Sequence, residues 1–201
     1  SRGDFADGTI TDWREDAAAV IETLTEGPQV LVGSSMGGWI GLLLARLIPD
    51  RVAGFVGIAA APDFTETMWE TEFSMADRTR LLEDGVLFRP SLYSPDPYPI
   101  TRRLIEDGKQ NLVLDGPLNL PMTVRLLQGT LDADVPPAVA LNLLNHISSP
   151  DLRLTLVRDA DHRFSSPACL ALMVETVEAV LAAHHHYATG VPDELPKSHT
   201  G

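Results

Sequence analysis

Gly33-Ser34-Ser35-Met36-Gly37 matches the pattern G-x-S-x-G and sets a serine, Ser35, between an apolar run and a helical pattern. A serine hydroxyl is a weak nucleophile, so it needs a base to take its proton and an acid to hold that base in one tautomer. Two later segments carry such groups. Asp132 stands in Gly129-Thr130-Leu131-Asp132, just past the run VRLLQ, and His162 stands in Asp159-Ala160-Asp161-His162, just past LRLTLV. Ser35, His162 and Asp132 are therefore the candidate catalytic residues for acyl transfer to water, with Asp134 as a rival acid in the same loop. Met36, opening the helix after Ser35, would offer its backbone N–H to a developing oxyanion. This chemistry needs no metal and no cofactor.

These groups must be positioned by elements that the apolar spacing brings out. Asp12, with Glu15 three residues on, reads as the cap of a helix running to about residue 24. QVLVG at 29–33 reads as a strand buried on both faces, followed at once by a helix over 35–48. Further strands are expected at 52–59, 124–128 and 152–157, with helices at 138–147 and 168–183. Strands alternating with helices imply an α/β fold, a mainly parallel sheet flanked by helices. Ser35, Asp132 and His162 would each sit at the carboxyl end of a strand, where open α/β sheets bind ligands. Gly33 and Gly37 would be required because a side chain at either place would crowd the turn around Ser35. If the glycines served only a phosphate loop, Ser35 would be an ordinary helix cap, yet neither Gly-Lys-Ser/Thr nor G-x-G-x-x-G is present.

Residues 63–110 break the alternation with an acidic stretch, two short helical patterns and a Pro-rich run, which reads as a lid or cap inserted into a core formed by 1–62 and 111–183. Met68, Trp69, Phe73 and Met75 are the candidates in that lid for substrate binding, whereas Trp39, Ile40, Leu43 and Leu44 read as core. Residues 184–201 lack periodicity and read as a disordered tail. His184, His185 and His186 in that tail would point about 100° apart on a helix, so they do not read as a metal site.

The 201 residues, 44% hydrophobic and 21% charged, suit one globular core. A net charge of −13 repels phosphate backbones and anionic membranes, so nucleic acid is an unexpected partner. Cys169 is the only cysteine, which fits a reducing compartment. The apolar runs read as too short for a membrane span, the longest lying at 39–44 and 52–61.

GSSMGGWIGLLLA, RVAGFVGIAAAPDF, ITRRLIEDG, VRLLQGTLDADVP and LTLVRDADHRFS together resemble the palmitoyl-protein thioesterase and acyl-glucuronide esterase group of the α/β-hydrolase superfamily, mitochondrial and bacterial, from about residue 3 to 183. The resemblance implies Ser35 as nucleophile, Asp132 as acid and His162 as base. It also implies ester or thioester substrates, either small molecules or lipidated proteins, and a bacterial cytoplasmic or mitochondrial matrix location. Such a hydrolase would begin with further strands and an oxyanion loop. SRGDFADGTI resembles only the segment after them, so N-terminal strands are expected to be missing and QVLVG to form a sheet edge. Loss of that second oxyanion donor would leave this 201-residue chain with weak or no esterase activity. The alternatives are a non-catalytic hydrolase-like domain that binds an acyl group or a protein, and a peptidase or perhydrolase on the same scaffold.

Overall fold

The computed structural model describes residues 3–90 and 95–189. Its elements in chain order are α1 (Ile10–Leu24), β1 (Gln29–Ser34), α2 (Met36–Leu47), β2 (Val52–Ile58), α3 (Phe64–Thr67), a π-helical turn (Met68–Glu72), α4 (Met75–Asp84), β3 (Val86–Arg89), β4 (Tyr98–Thr101), α5 (Arg102–Gly108), β5 (Leu118–Asn119), β6 (Thr123–Gly129), α6 (Pro137–His146), β7 (Ile147–Ser148), β8 (Leu152–Val157) and α7 (Pro167–Thr189). β1, β2, β6 and β8 form a parallel sheet in that order. This is an α/β fold, a parallel sheet with helices on both faces.

Alternation along the strands explains the two cores. Phe55, Val124 and Leu126 point into the larger cluster with Trp39, Leu42 and Leu43 of α2. Their neighbours Val56, Ile58 and Leu127 point the other way, against Cys169 and Val180 of α7. β2 is buried at all seven residues, as a central parallel strand requires. β1 departs from the expectation of burial on both faces but matches the expectation of a sheet edge that the resemblance carried. Among the described residues it pairs with β2 alone, and Val32 is 52% exposed.

The first helix also starts earlier than the sequence suggested. Thr9, not Asp12, is the N-cap: the Thr9 hydroxyl accepts from the Asp12 N–H, while Asp12 takes the third helical position and accepts from the Thr9 hydroxyl at 2.8 Å. The β-branched threonine holds extended backbone (φ −131°) that a residue already inside the helix cannot adopt.

The segment between β2 and β6 is more ordered than its prolines suggested. β3 and β4 pair antiparallel, with Pro99 opposite Phe88 on a two-stranded ribbon that has free edges to tolerate a missing N–H. Asp63 starts this segment at φ +54°. Its carboxylate accepts from the backbone N–H groups of Val113 and Leu114, pinning the departure and the return of the chain together. Burial pushes this carboxyl above its ordinary value, and the two backbone donors pull it back.

α7 corrects two expectations. It runs on through His184 to Thr189, because 184–189 continue a helix already packed on β2 and β6; residues 190–201 of the expected tail lie outside the described residues. Its stretch Pro167–His185 also has the length and mean hydropathy, 1.4, of a membrane-crossing helix, with 17% of it buried. The acidic side chains Glu175 and Glu178 had masked this run in the sequence.

Asp151 clamps the start of β6 to the start of β8, since Arg125 Nη2 donates to its Oδ2 at 2.6 Å. That hydrogen bond holds the Asp151 carboxyl below the ordinary 3.8. A carboxyl depressed in the folded state stabilises the fold above its unfolded value and loses that contribution as pH falls through the folded value. Asp151→Asn is expected to cost about 1 kcal/mol at pH 7 and to flatten the fall in stability below about pH 4. Urea unfolding of both chains across pH 2–7 checks this, and parallel pH curves would contradict it.

Candidate active site

The chain passes from β1 into α2 through one residue. Ser35 takes φ +52° and ψ −122°, its N–H donates to Ile58 O at 3.0 Å, and its C=O accepts from Gly38 N and Ala61 N. For a non-glycine residue such backbone costs about 1–3 kcal/mol and persists only where surrounding bonds fix it. Ser35 precedes α2 but makes no side-chain capping bond to it. The ordinary helix-cap reading therefore lacks its bond. Met36 is the first residue of α2, so its N–H has no intrahelical acceptor.

The glycine expectation holds at one position and fails at another. A Cβ on Gly33 would lie 2.3 Å from Gly37 O, so residue 33 must be bare. A Cβ on Gly37 would meet nothing within 4 Å, because this residue already faces away along α2. Gly38 carries the second requirement: its Cβ would lie 2.5 Å from the Cβ of Ala60.

Asp132 and His162 come from loops after adjacent strands, β6 and β8, which are joined by Leu131 N to Ala160 O (2.9 Å) and Thr130 N to Val157 O (3.0 Å). His162 Nδ1 lies 3.0 Å from Asp132 Oδ2. A carboxylate can only accept, so Nδ1 carries the proton and the lone pair of the neutral ring resides on Nε2. The Asp132 side chain is fully buried and that of His162 is 16% exposed. Asp132 Oδ1 accepts from the N–H groups of Asp134 and Val135, and Gln128 Nε2 donates to Oδ2. Asp134, the rival acid, lies close by on the cavity wall, but the hydrogen bond at Nδ1 is made with Asp132. Asp161 accepts from Phe164 N and so fixes the local turn.

Ser35, Met36 and His162 share the wall of a cavity of about 610 Å³, within the range of small-molecule sites. Its apolar wall includes Phe64, Met68, Ile100, Leu104 and Val135, while Glu72 and Arg89, joined as an ion pair, add charge. Of the four lid residues expected to bind substrate, the cavity includes Met68 alone. The Arg78 guanidinium and the Lys109 ammonium lie 5.3 and 5.1 Å from the centre of the Trp69 ring. Phe73 turns into the core, and Met75 is 78% exposed at the start of α4. Consecutive residues of a helix point roughly a quarter-turn apart, so Met68 reaches the cavity and Trp69 does not, which composition could not reveal. Tyr98 and Ile100 of β4 and Leu104 of α5 also line it, residues to which the sequence pattern assigned no role. Gln128 was missed too, although a polar side chain ending an apolar strand needs a partner if buried.

Residues 1–195 match the alpha/beta hydrolase family model, and the chain belongs to that family. It is 32% identical over 182 residues to the mouse mitochondrial palmitoyl-protein thioesterase ABHD10, covering 90% of this chain and 61% of that protein. The chain thus spans about three fifths of the length of the curated relatives it matches. Among solved structures, a protein from Agrobacterium vitis S4 superposes with a TM-score of 0.85 at 42% identity, over 89% of this chain and 70% of that one. Mouse alpha/beta hydrolase domain-containing protein 10 superposes with 0.81 at 30% identity, over 90% and 72%.

Gly33→Ala and Gly38→Ala are each expected to destabilise the fold by about 1–3 kcal/mol, with Gly37→Ala near neutral. Thermal melts of the three variants check the order, and equal losses at all three positions would contradict it.

Proposed function

We propose that this chain carries a serine hydrolase site that cleaves carboxylic esters or thioesters through an acyl-enzyme. The observation that supports it best is the buried Asp132–His162 hydrogen bond behind a cavity wall that also holds Ser35. In this reading His162 Nε2 accepts the Ser35 Oγ proton as Oγ attacks the acyl carbonyl carbon. The tetrahedral oxyanion faces the Met36 N–H at the positive end of α2. Collapse breaks the bond to the alcohol or thiol, which leaves with the proton held by His162. Water then attacks the acyl-enzyme by the same relay and frees the acid. Asp132 stays ionised throughout and stabilises the imidazolium.

The apolar wall around Met36, Phe64, Met68, Ile100 and Leu104 favours an apolar acyl group. Similarity to proteins named as palmitoyl-protein thioesterases supports lipidated-protein thioesters beside small-molecule esters. The lone buried Cys169 suits a reducing compartment, the bacterial cytoplasm or the mitochondrial matrix.

The weak turnover of p-nitrophenyl esters and acyl thioesters expected of this chain should fall to the buffer rate with Ser35→Ala or His162→Ala. Asp132→Asn should lose about 10²- to 10⁴-fold in kcat. A parent chain that turns esters over measurably, with Ser35→Ala turning them over as fast, would overturn the proposal.

A further inference from the structure

Gln128, in β6, is fully buried, and its amide nitrogen serves three acceptors: Asp132 Oδ2 at 3.0 Å, Val135 O at 2.9 Å and Gly129 O at 3.3 Å. Reversing the amide would bring its oxygen against all three, so the orientation is fixed by charge. The consequence is a buried Oε1 with no hydrogen-bond partner among the described residues. Burying an acceptor unpaired is unfavourable, and an apolar side chain of similar volume would avoid it.

The role of the amide rests on the freedom of an aspartate. Rotation of a carboxylate about its Cβ–Cγ bond is soft. The backbone N–H groups of Asp134 and Val135 hold Oδ1 at 3.0 and 2.8 Å, and because both oxygens turn together about that bond, a donor at Oδ2 narrows the same rotation from the other side. Gln128 Nε2 meets Oδ2, the same oxygen that receives His162 Nδ1–H. Its bond to Val135 O also holds the loop from Asp132 to Val135, whose Asp134 and Val135 are part of the cavity wall.

We propose that Gln128 is a positioning residue for the hydrolytic site: its amide aims Asp132 Oδ2 at His162, and so turns His162 Nε2 toward the cavity. This rests on the serine-hydrolase reading above. The amide acts through Asp132 and does not touch the substrate. An aliphatic side chain at 128 fills the space but leaves the carboxylate anchored by its backbone donors at Oδ1 alone, which widens its rotation and weakens the orientation of the imidazole rather than substrate binding.

Two substitutions test this in the whole chain, with p-nitrophenyl ester as substrate. Gln128→Met removes the donor at similar volume. It is expected to lower kcat by about 10- to 100-fold, the scale of losing a partner that orients a functional group, with KM little changed. Gln128→Glu carries its own control. The protonated carboxyl can donate to Asp132 as the amide does, whereas the ionised one repels it. The ratio of kcat in Gln128→Glu to that in the parent should therefore climb as pH falls. Should Gln128→Met fail to fold, that ratio decides. Full kcat in Gln128→Met, or a ratio independent of pH, would overturn the proposal; with Ser35→Ala inactive, the hydrolase reading would still stand. A fully active Ser35→Ala would instead remove the hydrolase reading itself.

Discussion

Residue 35 stands in left-handed backbone where a parallel strand must become a helix within one residue, and much of the neighbouring packing depends on holding it there. Its N–H and C=O are claimed by Ile58, Gly38 and Ala61, so the turn is bonded to the end of β2 rather than left to its own preference. That bonding brings α2 close over the sheet. The close approach excludes a side chain at Gly33 and Gly38, and it seats Trp39, Leu42 and Leu43 in the larger core. Trp39 in turn donates its indole N–H to Asn111 O, which ties α2 to the returning end of the inserted segment. The about 1–3 kcal/mol of strain at such a residue is small beside the burial of these side chains.

A second constraint is electrostatic. A carboxylate without solvent exposure is tolerated only when its oxygens are met by donors, and Asp132 has four: two backbone N–H groups, one amide and one imidazole. Three of those donors lie within four residues of it, at the end of β6 and in the following loop. The fourth arrives from the end of β8, so the parallel pairing of β6 with β8 is what makes the long-range contact possible. The strand ends thus place an acid and an imidazole together, and the imidazole and the tight serine turn line the same cavity.

The parts of this arrangement that were legible in the sequence are those written in local pattern. Short apolar runs separated by helical periodicity marked all four strands of the main sheet. G-x-S-x-G marked the turn because few residue types fit that backbone. Asp132 and His162 were legible from their places just past two apolar runs. The features that stayed hidden depend on where distant pieces meet. β1 read as a doubly buried strand from its own pattern, because composition reports apolarity and not neighbours; its edge position was expected only through the family resemblance. Trp69, Phe73 and Met75 read as substrate contacts because an aromatic and sulfur-rich segment looks the same whether it faces a cavity, a core or water. The β3–β4 ribbon was obscured by its prolines, and Gln128 by its place at the end of an apolar run. Gly37 was credited with a packing role that its neighbour Gly38 performs.

Together, the strained turn, the imidazole and the buried carboxylate should make one hydroxyl in this chain far more nucleophilic than its other serines. Mass-spectrometric mapping of the folded chain after reaction with a fluorophosphonate measures this directly. One adduct is expected, on the peptide bearing Ser35, and none when the chain is denatured first. Labelling spread over several serines, or a folded chain that takes up no label, would contradict it.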